Sequence, residues 1–151
     1  MRSNRLLETL FLILGLMNNI LLIAIFLLRK NRLVLVQRYG WIYLLLAFPA
    51  IYGIILLKQE RKPVEYSIFL IIFLVFLAFE WVYDYVLKID FRMDLKKNWK
   101  LVVPYLCFYY AMNYGFIVMP WKSSSFWGFV MLCLFIVQMA TNLSSHQRTT
   151  R

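Results

Sequence analysis

Two carboxylates, Glu80 and Asp84, stand one helical turn apart inside an apolar stretch, the place in this sequence where chemistry is most readily located. Acids at that spacing can coordinate a hard cation through oxygen or divide the work of an acid and a base. An ionised carboxylate within a membrane span costs on the order of 3 kcal/mol, so such residues face a bundle interior and are paired or functional. Lys88 lies a further four residues on. The spacing therefore predicts one helical face on which Lys88 neutralises Asp84 and Glu80 looks inward. Two structural readings stand beside this one. Asp84 can be a solvated acid at a helix end, and Glu80 can be interhelical glue, in bonds that average ~0.6 kcal/mol.

The elements that position these acids follow from composition. Hydrophobic residues make up 63% of the 151-residue chain, well above the roughly 45–50% of soluble domains. The apolar residues gather in five runs, at 7–28, 39–57, 66–87, 101–119 and 126–143. Each suits a hydrocarbon core of ~30 Å at 1.5 Å rise per residue, and lipid forces such runs to be helices. The fold class is thus an all-α integral membrane protein, a bundle of five transmembrane helices, with five preferred to four. Residues 1–143 form a single polytopic membrane domain, and 144–151 form a polar cytoplasmic tail. The first run is too long for the apolar core of a cleaved signal and has Glu8 at its start, so it reads as a span. The second run can begin as early as Leu33, and Pro49 is expected to distort it.

Charge sets the expected orientation. Six Lys and Arg lie on the amino-terminal side of the five runs and eleven on the other, which puts the amino terminus out and the carboxyl terminus in. A formal net charge of +10 would raise nucleic-acid binding in a soluble chain. Here the cations border the apolar runs and suit anionic lipid headgroups, so no nucleic-acid partner is expected. Tyr39, Trp41, Tyr43, Trp81, Tyr83, Tyr85 and Trp99 are assigned to an inner aromatic belt.

Counting 1.5 Å per residue from the cytoplasmic ends places Glu80 ~10 Å deep, Gln138 about 8 Å, Tyr109 and Tyr110 about 12 to 14 Å, Asn19 and Asn18 roughly 14 and 15 Å, and Asn113 about 18 Å. The polar groups therefore crowd the inner half of the bundle. Glu80, Asp84, Asn18, Asn19, Tyr109 and Asn113 are the candidate lining of a polar pocket facing the cytoplasm, with Glu80 level with Tyr109. Arg92, Lys96 and Lys97, in the basic loop after the third run, are candidate headgroup contacts.

Cys107 and Cys133 lie in separate apolar runs without a Cys-x-x-Cys or Cys/His cluster, and read as packing residues. No metal and no cofactor are expected. The small-residue pair Ala111/Gly115 and the strip of Ala47, Ala50 and Gly53 permit close helix approach, within the chain or in a homo-oligomer or larger membrane complex.

These features point to a non-enzymatic multi-pass protein of the cell membrane that binds an ion, a small molecule or partner helices through the pocket, as in a transport-related subunit. The alternatives are a lipid-modifying membrane enzyme using Glu80 and Asp84, and an accessory or immunity-type protein that occupies another membrane protein.

Overall fold

A computed structural model of the chain describes residues 2–60, 63–88 and 98–146. Helix α1, Arg2–Asn31, buries Leu7, Phe11, Leu14, Leu22 and Phe26, spaced three, four or eight residues apart. That spacing draws one stripe along the helix, and Asn18 falls within the same stripe. The second apolar run is composite. Helix α2, Leu33–Tyr39, leads into a 3-10 segment, Gly40–Leu46, and then into α3, Ala47–Glu60. Pro49 has no N–H to give the carbonyl four residues back, and the tighter 3-10 turns end just before it, leaving Pro49 in the first turn of α3 where that loss is tolerated.

Helix α4, Val64–Trp81, passes into a π-helical segment, Val82–Val86, where the Leu87 N–H reaches back five residues to the Val82 carbonyl at 2.8 Å. Helices α5, Trp99–Ser123, and α6, Ser125–His146, are joined by Ser124 alone and form an antiparallel pair. The described chain is all-helical, with five helices long and apolar enough to cross a membrane: Arg5–Arg29, Val34–Lys58, Val64–Val86, Trp99–Ser123 and Ser125–Ser145. The second begins near Leu33, as the early start allowed, and the fourth and fifth reach beyond their apolar runs, to Ser123 and Ser145, because flanking residues continue the helices.

Helix α1 packs against α3, α5 and α6, and α4 packs against α3 and α5. Close approach depends on glycine at two of these seams. A Cβ on Gly115 would overlap the Phe69 ring of α4, so the small residue predicted for helix contact serves α4 and α5 of one chain. A Cβ on Gly15 would meet Met131 Cε at 2.6 Å and Phe116 Cδ1 at 3.0 Å, which brings α1, α5 and α6 together in one layer.

Phe11, Phe73 and Phe116 form an aromatic cluster in that layer, with ring centroids 5.3 Å apart for Phe11 and Phe116 and 5.2 Å for Phe73 and Phe116. Cys107 and Cys133 are free thiols on exposed faces, so they are not the packing residues expected: each points away from its neighbours. At the Lys122 end of the bundle, Lys122 pairs with Glu65, and both side chains are about half exposed. Lys122→Ala is therefore expected to change unfolding free energy by less than ~1 kcal/mol, as read by denaturant titration in detergent.

A candidate polar column in the bundle core

Among the described residues, most of the buried polar side chains lie between the middle of the bundle and the end where α1 finishes, α5 begins and the π segment lies, with Asn113 just beyond the middle. Asn18, Asn19, Glu80, Asn113 and Gln138 are buried, and Glu80, at 8%, is the most exposed of the five. The Glu80 carboxylate is held by Tyr105, whose hydroxyl donates to Oε1 at 2.5 Å. The Tyr43 hydroxyl donates to Asn18 Oδ1 at 2.6 Å, and Tyr43 sits within electrostatic range of Glu80, Tyr105 and Tyr109. The Tyr109 hydroxyl accepts from Gln138 Nε2 at 2.6 Å. The Tyr105 and Tyr109 rings stack, with centroids 6.4 Å apart and an interplanar angle of 14°.

These groups do not converge on one point. Tyr105, Tyr109 and Asn113 are spaced i, i+4, i+8 on α5, so the polar groups extend ~12 Å along the bundle as a column. Glu80 enters at the level of Tyr105, one turn nearer the helix end than the Tyr109 level expected. At the far end stand Asn19 and Asn113, one turn from the Gly15, Phe116 and Met131 layer on their respective helices. There the aromatic cluster closes the column.

The two deep asparagines have oriented amides. Asn19 Nδ2 donates to the Gly15 carbonyl at 3.0 Å and Asn113 Nδ2 to the Tyr109 carbonyl at 2.9 Å. A carbonyl can only accept, so each amide must turn its nitrogen to it and present its oxygen elsewhere. Both Oδ1 atoms, and Gln138 Oε1, are buried with no hydrogen-bond partner among the described residues. The donor Asn18 Nδ2 is likewise buried with no hydrogen-bond partner among the described residues. A buried polar atom left this way costs about 1–3 kcal/mol, so the column has spare capacity mainly for hydrogen-bond donors or cations, with one donor of its own still to be met.

Asp84 departs from its predicted pairing. The cation placed beside it is Arg29 of α1, with Nη2 4.0 Å from Oδ2. The reason is the π segment. Its wider turn shifts the register after Trp81, and Lys88, at φ +50°, has left the helix, so the i, i+4, i+8 face does not persist. Asp84 and Arg29 form the more exposed mouth of the column, with side-chain exposures of 28% and 17%. Among the described residues, no group of three or more His, Cys, Asp or Glu is placed to hold a metal ion.

Of the predicted residues, the structure thus brings Asn18, Glu80, Tyr109 and Gln138 into the column, puts Asn19 and Asn113 at its inner end and sets Asp84 at its mouth. Tyr110 points outward and is exposed. Arg92, Lys96 and Lys97 lie outside the described residues. Sequence reasoning missed Tyr43, assigned to the aromatic belt but buried at 3% on the 3-10 segment, along with the roles of Tyr105 and Arg29. The i, i+4, i+8 spacing of Tyr105 with Tyr109 and Asn113 was the signal for Tyr105. None existed for Arg29.

Fold and column together define an all-helical chain with five helices long and apolar enough to cross a membrane and a one-ended polar column in its core. Compared with protein-family models, curated proteins and solved structures, the chain matches none at significant similarity.

Proposed function

We propose that this chain is a multi-pass protein of the cell membrane that binds a small cation through the polar column, entered from the Asp84 end. The observation that carries the reading is Glu80, a carboxylate buried in the bundle and held by the Tyr105 hydroxyl. Acids in such positions mark ion or substrate sites. Among the described residues no three acids gather around the column, and a divalent ion calls for more anionic ligands, so a single positive charge suits it better. The basic-loop count supports an entrance on the cytoplasmic side. The aromatic cluster beyond Asn19 and Asn113 favours binding, or a transport-related subunit, over an open pore.

The test is thermal unfolding of the detergent-purified protein in sodium, potassium, ammonium, magnesium and calcium chlorides at matched ionic strength. One monovalent cation is expected to raise Tm. At a hundred times Kd it would add ~2.7 kcal/mol, or roughly 5–10 °C for a chain of this size. Glu80→Gln keeps a hydrogen-bonding side chain of the same size, and is expected to fold with the cation-dependent shift gone. A wild-type protein indifferent to all five salts, or a Glu80→Gln protein with the full shift, overturns the reading. Product release from a lipid extract would replace it with the lipid-modifying alternative.

A further inference from the structure

On the opposite half of the bundle, a groove of about 520 Å³ runs along the outside of α1 beside α3. Its floor is apolar, with Leu10, Ile13, Met17 and Pro49 contributing, and Arg5 stands at its outer end. Mostly apolar lining with one fixed charge is how binding sites orient an amphiphile. From Arg5 to Met17 is twelve residues of helix, ~18 Å. One leaflet of a bilayer is half of a ~30 Å hydrocarbon core, or ~15 Å. A chain lying in the groove therefore spans one leaflet, with its head beside the Arg5 guanidinium.

We infer that this groove is a binding site for an anionic phospholipid, with one acyl chain lying along Ile13 and Pro49 and its phosphate on Arg5. The site uses neither Glu80 nor its column. It depends on the membrane placement of the five helices, which is tested separately by whether detergent is needed to extract the chain. Arg5 supplies the charge complementarity for an anionic head, at the end of an otherwise mostly apolar lining. Ile13 is half exposed, so the groove can be filled at that position without disturbing the core.

The experiment is native mass spectrometry of the full chain after exchange with vesicles of equimolar phosphatidylglycerol and phosphatidylcholine. The wild type is expected to retain phosphatidylglycerol preferentially. Arg5→Gln should reduce that retention about fivefold, the equivalent of ~1 kcal/mol for one cation at a headgroup, and leave phosphatidylcholine unchanged. Ile13→Trp, which occupies the groove, should reduce both. Equal retention of the two lipids by the wild type, undiminished phosphatidylglycerol on Arg5→Gln, or wild-type retention by Ile13→Trp overturns the proposal. So does a free fatty acid or a second copy of the chain found there instead.

Discussion

Tyr105→Phe is expected to destabilise the protein by about 2–3 kcal/mol, the size of a hydrogen bond to a charged group lost from a buried site. The substitution removes one oxygen and keeps the ring, so the packing of Phe76, Tyr83 and Tyr109 around it is retained. What changes is the Glu80 carboxylate, which loses the donor 2.5 Å away. Removing one partner of a buried charged pair costs more than replacing both with apolar groups. The double variant Tyr105→Phe with Glu80→Leu should therefore recover part of the loss. Denaturant titrations in one detergent would measure all four corners of that cycle. Additive single effects would show that the Tyr105 hydroxyl is not what stabilises Glu80 in the core.

Gly115→Leu is expected to cost about 3 kcal/mol, at the upper end of what overpacking does, and to do so through the backbone spacing of two helices. A Cβ alone at residue 115 overlaps the Phe69 ring and comes within 3.0 Å of Phe69 Cβ, and the ring also packs on Tyr114 with centroids 6.1 Å apart. Phe69 cannot move far without disturbing that contact, so α4 and α5 must separate. The separation would pull Glu80 of α4 from Tyr105 of α5, about three turns down the seam. The second expected reading is thus a weakened cation-dependent thermal shift. Phe69→Ala in the same chain should restore space and return part of the stability. A Gly115→Leu protein as stable as the wild type would place the close α4–α5 approach elsewhere.

The all-helical architecture and its five long apolar helices were legible in the sequence because a long apolar run carries a strong, local signal. Eighteen or more apolar residues in a row admit one solution, a helix, whatever the neighbours are. Rise per residue is a property of the helix alone, so Asn18, Glu80, Tyr109 and Gln138 could be grouped before any packing was known, but Glu80 fell one turn from the level the count gave it, beside Tyr105 rather than Tyr109. Helical periodicity placed Asn18 in the stripe of Leu14 and Leu22 and explains its burial.

Pairing was another matter. Which cation meets Asp84 depends on the rotation of α4 against α1 and on a π turn whose extra residue per turn no local pattern announced. Arg29, 55 residues away in the chain, took the position the spacing had assigned to Lys88. Tyr43 looked like a belt residue because aromatic residues near a span end usually are. The 3-10 turns before Pro49 rotate it into the core, where it finds Asn18. The sequence by itself determined that the chain is helical, roughly where its five long apolar helices lie and the half in which most of its polarity gathers, since these follow from apolar run length and local chain geometry. Only the tertiary structure decided that those polar groups form a column closed at its inner end by aromatic rings, with Tyr105 on Glu80 and Arg29 beside Asp84, because azimuth and contact between helices are set by packing over the whole bundle.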